Sequence, residues 1–325
     1  MILTLLTAFV VFALLLKGYF KLAERFGIFD VPNSRSSHTH TPVRGAGIIF
    51  IPAIVAGFIL TGMAIPIWFI CGLMLLAVVS FWDDVKPLPA SVRFPVHLVA
   101  AGLMVIQLWG LMPWLPLSVL IILLTVVFIN GFNFMDGING ITGFYSIAVI
   151  LSMALTYYLV WPFSSPEIFI VSISGLLAFG FYNFRKKALC FAGDVGSVTL
   201  AYFISFMLAT LVLTSGEWYY ILFVSVYTID FGITILHRIL LKEKIWEPHR
   251  KHLYQLMVNE HAHPHLLIAG IYGLVQFIVN AGLIILIYKS HPMLSPGIYT
   301  LVTLIILSIV YLTLRYRYYQ KLLLK

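Results

Sequence analysis

Apolar runs long enough to cross a bilayer recur from one end of this chain to the other, each close to the roughly 20 residues that span a hydrocarbon core as helix. Inside lipid, only helices and closed barrels satisfy their own backbone. A barrel would show short segments of alternating hydrophobicity, and these runs do not alternate. The sequence therefore predicts an all-α, polytopic membrane protein. Composition agrees, because 61% of the 325 residues are hydrophobic and 10% charged, against roughly 25% charged in a soluble domain. The amino end, "MILTLLTAFVVFALLLKGYF", has no basic residue before its apolar core and no small-residue cleavage site after it. It reads as a first span and not as a signal peptide. Cys71 and Cys190 lie far apart at different depths and form neither a disulfide nor a zinc pattern.

Candidate spans fall at about 2–20, 45–64, 66–82, 94–110, 114–130, 138–160, 167–184, 195–214, 218–236, 265–288 and 296–314. Eleven is odd, so the termini are expected on opposite sides. Placing the loop after the first span in the cytoplasm makes 21–44, 83–93, 131–137, 185–194 and 237–264 inner loops, with the tail after 314. Of the 20 Lys and Arg, Lys289 alone then falls on the opposite side. That asymmetry follows the positive-inside rule and predicts an outer amino terminus and a cytoplasmic carboxyl terminus. The formal charge of +8 faces anionic lipid headgroups. With no separate basic domain, nucleic acid is not an expected partner. No internal repeat or soluble module interrupts the chain, so 1–325 reads as one integral-membrane domain whose inner loops form its active face.

Five of the six Asp (Asp30, Asp83, Asp84, Asp136 and Asp194) fall in or beside those inner loops, and Asp230 lies within a span. Short loops need something polar, which explains any one acid but not the set. In "FWDDVKPLP", Asp83 and Asp84 close a helix at its negative end, where a carboxylate is unfavourable by roughly 0.3–1 kcal/mol. A divalent cation would reverse that penalty, and hard oxygen ligands suit Mg²⁺ or Mn²⁺. A solvated loop pair is the plainer account. "NGFNFMDGINGITG" and "FAGDVGSVTL" each place an Asp beside Gly just before a new span. A helix start presents free N–H groups that favour phosphate, and Asp136 or Asp194 would cap its helix. Capping alone would also explain either segment. The first loop, "DVPNSRSSHTHTPVRGAG", carries Arg35, His38, His40 and Arg44, suited to phosphate or sugar. The large loop carries "EPHRKHLYQ", with His249 and His252 one helical turn apart around Arg250 and Lys251. A basic amphipathic helix on the inner leaflet would look the same. "HAHPHL" is discounted as a metal site, because the run contains no carboxylate of its own and is broken by Pro264.

At these residues the chain resembles the polyprenyl-phosphate N-acetylhexosamine-1-phosphate transferases, glycosyltransferase family 4, which include the phospho-MurNAc-pentapeptide translocase. "DVPNSRSSHTHTPVRGAG", "DDVKPLP", "NGFNFMDGINGITG", "GDVGS" and "HRKHLYQ" stand in the family's order. The resemblance implies that Asp83 and Asp84 lie near the metal and the lipid phosphate, that Asn133 and Asp136 form the Asn-x-x-Asp segment of the active centre, and that Asp194 binds Mg²⁺. It also implies that His249 and His252, with Arg250, contact the nucleotide-sugar. Many relatives carry a second acid where this chain has Asn139. "NFMDGING" and "HRKHLYQ" look more like the branch that primes O-antigen or other surface glycans than like the peptidoglycan enzyme. The expected reaction is transfer of N-acetylhexosamine-1-phosphate from a UDP-sugar to undecaprenyl phosphate, with Asp83, Asp84 and Asp136 catalytic, Arg35, His38, Arg44, Asn133, Asn139, His249, Arg250 and His252 binding substrate, and Asp194, Asp83 and Asp84 holding Mg²⁺ or Mn²⁺. The competing class is a secondary transporter with its acids facing the cytoplasm, although transporter sites tend to the bilayer midplane between repeated halves. Which sugar is carried, and whether the protein is a homodimer, the sequence leaves open.

Overall fold

The computed structural model describes residues 2–32, 40–111, 115–244, 250–290 and 294–323. Within them the chain forms α1 (Ile2–Phe26), α2 (Phe50–Leu60), α3 (Ile67–Val85), α4 (Ala90–Leu108), α5 (Leu115–Phe134), α6 (Ile141–Leu159), α7 (Pro166–Asn183), α8 (Gly193–Ser215), α9 (Ser225–Leu240), α10 (His265–Tyr288) and α11 (Pro296–Leu323). Tight 3₁₀ turns lead into α2 (Ala46–Ile49) and α9 (Trp218–Val224). The long apolar runs thus become helices, and no strand is present among the described residues beyond isolated bridges.

Ten of these segments are long and apolar enough to cross a membrane. The expected span at 45–64 is the exception: Ala46–Leu60 is apolar but short. Its helix stops at Thr61-Gly62, where Gly62 takes a positive φ of 66°. It still runs the same course as a full span. Its start lies beside the end of α3, where Gly45 meets Asp84, and near its end Gly57 packs on Ile168 at the start of α7. Eleven traverses result, so Ile2 and the end of α11 lie at opposite ends of the bundle. Several span ends also shift. Helix α3 runs on to Val85 and α5 to Phe134, so Asp83, Asp84 and Asn133 lie in last helical turns and not in loops.

Helix α8 is the axis of the packing, touching α2, α3, α4, α5 and α6. Small residues let other backbones reach it. A Cβ on Gly47 would lie 2.3 Å from the Gly196 Cα. At the far end, the break before α9 needs partners for its free backbone groups. Gln276 supplies them, donating to the Leu222 carbonyl at 2.9 Å and accepting from the Val226 N–H at 2.9 Å. Helices α1 and α11 flank the bundle with mostly exposed apolar faces, as expected of lipid-facing helices.

Candidate active site

One end of the bundle gathers the polar residues, and the chain assembles it from two loops laid side by side. Val43 N–H donates to the Leu189 carbonyl at 3.0 Å and Phe191 N–H to that of Val43 at 2.8 Å. Ala46 and Gly47 continue the pairing to Phe191 and Ala192. This pairing carries Arg44 to the start of α8. Its Nε donates to Asp84 Oδ1 at 2.8 Å, and its other nitrogens lie 3.7 Å from Asp30 and 3.8 Å from Asp194. Burial works against the Arg44 charge, but Asp84 and Asp194 raise its pKa above the usual value.

Asp84 is fully engaged. Oδ1 also accepts the Asp194 N–H at 2.9 Å and Oδ2 the Val195 N–H at 3.0 Å. The acid at the end of α3 therefore closes the open N–H groups of α8, at a helix end whose dipole favours negative charge. The local expectation of a cap fails: neither Asp194 nor Asp136 caps its own helix, and Ala192 and Gly140 stand at the cap positions without a side-chain bond. With its oxygens taken by Arg44 and two amides, Asp84 acts as a clamp between α3 and the start of α8. The start of α8 is likewise filled by a carboxylate, not left open for phosphate.

Asp83 and Asp194 meet through Arg93, whose guanidinium donates to Asp83 Oδ2 at 2.8 Å and Asp194 Oδ2 at 3.0 Å. Asn133, the next-to-last residue of α5, donates to Asp194 Oδ2 at 3.2 Å and accepts from the Ser197 hydroxyl at 2.9 Å. Beyond these lies a cleft of about 270 Å³ lined by Asp30, Arg44, Asn133, Asp136, Asp194 and Gln255, among others. Asp136 is half-buried there, accepting the Thr142 hydroxyl at 2.5 Å. Burial pushes its carboxyl up to about 6, against the pull of the Thr142 bond, and the Asp84 charge adds to the rise.

Asn139 is buried in the cleft wall, giving its amide protons to the Arg185 and Lys186 carbonyls at 3.0 and 3.3 Å, while its Oδ1 meets no protein donor. Other expected residues scatter. His252 is 1% exposed and bonded to Asp230, not presented to the cleft. Arg250 is half-buried and does not line the cleft. Arg35, His38 and His249 lie outside the described residues. The structure adds Arg93, Asp30, Gln255 and His265, which the motifs had not marked as site residues. His261 and His263 turn to Tyr318 instead.

Five carboxylates therefore face two described guanidiniums. Such a surplus would repel a phosphate that arrived without a cation. Among the described residues no three His, Cys, Asp or Glu side chains converge as a ready-made metal set. Asp194 and Asp136 do offer hard oxygens in the cleft, and Mg²⁺ is commonly held by one or two carboxylates together with substrate phosphates and water.

Residues 66–216 match glycosyl transferase family 4. The chain is 27% identical over 300 residues to the probable undecaprenyl-phosphate N-acetylglucosaminyl 1-phosphate transferase of Bacillus subtilis, covering 82% of this chain and 79% of that protein. It is 31% identical over 230 residues to the phospho-N-acetylmuramoyl-pentapeptide-transferase of Streptococcus suis, covering 60% and 66% of the two. A match to the decaprenyl-phosphate N-acetylglucosaminephosphotransferase of Mycolicibacterium smegmatis, 27% identical, spans 55% of this chain and 52% of its relative. The family match takes in the ends of α3 and α5, the turn around Asp136 and the whole of α8, the elements that build the cleft; residues 66–216 of the chain are a glycosyl transferase family 4 segment.

Proposed function

We propose that this protein transfers an N-acetylhexosamine-1-phosphate from a UDP-sugar to undecaprenyl phosphate, releasing UMP. The observation that carries the reading is the acid-rich cleft at one end of a membrane bundle, where Asp30, Asp136 and Asp194 line the walls with Arg44 as the one described guanidinium. Such a cleft suits a reaction between two phosphate-bearing substrates with a divalent cation between them. It lies at a helix-end interface, where a lipid phosphate and a water-soluble nucleotide can meet. A coupling site for transport would be expected nearer the midplane. The names of the relatives support a polyprenyl phosphate acceptor.

In the proposed reaction a phosphate oxygen of the acceptor attacks the sugar-bearing phosphorus. The phosphoanhydride bond breaks and its bridging oxygen leaves with UMP. A phosphate monoester has a second pKa near 6, so the acceptor is largely a dianion at neutral pH and the obstacle is charge, not proton removal. Mg²⁺, or Mn²⁺ in its place, would be held by Asp194, with Asp83 or Asp136 nearby, and would supply electrostatic stabilisation of the phosphates. Asn133 holds Asp194 in place from the side. Arg93 keeps Asp83 and Asp194 together despite their like charge. Asp136, with its carboxyl near 6, is suited to take the acceptor's last proton or to orient it. Asp84 supports the site through α8. The buried Asn139 Oδ1 offers an acceptor to a hydroxyl or amide of the ligand.

The polar end is assigned to the cytoplasm, on the Lys and Arg asymmetry. "NFMDGING" and "HRKHLYQ" favour a role in initiating O-antigen or other surface glycans. The test is purified protein with undecaprenyl phosphate, Mg²⁺ and a panel of UDP-N-acetylhexosamines, with UMP release as readout. Release from one donor, dependent on lipid and abolished by EDTA, is expected. Folded protein that releases no UMP across an expanded donor panel would overturn the reading.

A further inference from the structure

Asp230 is the acid that the cleft leaves unexplained. It sits in α9, 1% exposed, with bonds reaching in two directions. Toward the inner loop, its Oδ1 accepts from His252 Nδ1 at 3.1 Å and from the Leu253 N–H at 3.3 Å. Toward the bundle, Oδ2 accepts the Tyr272 hydroxyl at 2.6 Å and Oδ1 the Tyr311 hydroxyl at 3.2 Å. The segment held in this way continues directly into the wall of the cleft. Tyr254 donates to the Phe134 carbonyl at 2.9 Å, and its hydroxyl lies 2.3 Å from where a Cβ on Gly137 would stand. Gln255 bonds back to the His252 N–H and lines the cleft.

We propose that Asp230 is a positioning residue: through His252 and the Leu253 amide it docks segment 250–260 onto the bundle, and so holds Gln255 in the cleft wall that receives the nucleotide-sugar, with Tyr254 buried behind Gly137. His252 acts here as a tether, not as a contact to substrate. An imidazole fixed through Nδ1 to a carboxylate keeps one orientation. The pair is buried, so water does not compete for its bonds. The Tyr254 contact places the same segment over the Asn133–Gly140 turn, so loss of the tether loosens the wall and not the acids. The role in donor binding rests on the transferase reading above.

Hydrogen exchange and steady-state kinetics on the full-length protein in detergent test this together. Asp230→Asn is expected to speed amide exchange across 252–258 about tenfold and leave α6 unchanged. It is expected to raise KM for the UDP-sugar about tenfold with kcat within about threefold. Tyr272→Phe removes the bond to Asp230 Oδ2 and leaves both tether bonds at Oδ1 in place, and should alter neither quantity. A purely structural Asp230 would instead lower Tm and the active fraction at unchanged KM, in both variants. Unchanged exchange at 252–258 in folded Asp230→Asn overturns the docking, and faster exchange at unchanged KM overturns the role in donor binding. His252→Ala cuts the tether from its other end and is read the same way where Asp230→Asn fails to fold. Wild-type protein that transfers no sugar phosphate defeats the functional reading, while the exchange data still decide the docking.

Discussion

Asp136 and Asp194 share the cleft in different electrostatic settings. Asp194 lies beside Arg93 and Arg44 and Asp136 accepts a hydroxyl; burial raises the Asp136 carboxyl from 3.8 to about 6. A raised pKa means that folding favours the protonated acid, so this group's stabilising contribution is present at low pH and lost as pH rises through about 6. Activity should run the other way. Only the carboxylate can orient the cation-bound acceptor, and the acceptor phosphate loses its own last proton near 6. Below about pH 6 the logarithm of kcat/KM should rise with a slope of about two. In Asp136→Asn the residual rate should rise with a slope of about one, and a wild-type slope of one would remove Asp136 from any titrating role. Asp194→Asn should lower kcat by about 10²–10³-fold, the usual cost of removing one preorganised electrostatic partner. The same loss in Asp83→Asn with none in Asp194→Asn would reverse their assigned roles. These acids were legible in the sequence because each stands in a polar island between apolar runs. Arg93 was not, since only the turn through Pro87 and Pro89 brings it back over Asp83.

At the level of elements, the site depends on how α8 begins. Gly193 takes φ +72°, and a Cβ there would stand 2.4 Å from Asp84 Oδ2. Gly216, at the other end of the helix, takes φ +75° with nothing within 4 Å. The left-handed backbone costs a non-glycine residue about 1–2 kcal/mol, so Gly216→Ala should lose about that much stability. Gly193→Ala should lose more and take transferase activity with it, because the alanine displaces the clamp. Equal losses in thermal unfolding would show that Asp84 does not hold α8. Sequence reading found both acid–glycine segments but assigned the capping to the wrong carboxylates. A cap donated from a different helix leaves no local spacing to read. For the same reason Asp230 looked isolated until His252 was found bonded to it. The short α2 was hidden because apolar residues continue past its end at Thr61.

At the scale of the whole molecule, eleven traverses put the acid cleft and the carboxyl end at one end of the bundle and Ile2 at the other. The apolar periodicity made this architecture readable, and the Lys and Arg asymmetry suggested its orientation. Residue pairings across the bundle were not readable, because contacts such as Asp84 to Val195 join positions 111 apart. Orientation is open to test with single cysteines introduced on a Cys71→Ala background. Lys186→Cys should react with an impermeant maleimide only when the cytoplasmic face is open, and Gly62→Cys only from outside. Reaction of both from the same side would contradict the traverse count. The central claim is that phosphorus travels with the sugar. It is tested most directly with UDP-N-acetylhexosamine carrying ³²P in the sugar-bearing phosphate, incubated with undecaprenyl phosphate and Mg²⁺. The account predicts the label in the lipid diphosphate and unlabelled UMP in solution; label recovered as free UDP beside an unlabelled glycolipid would contradict it.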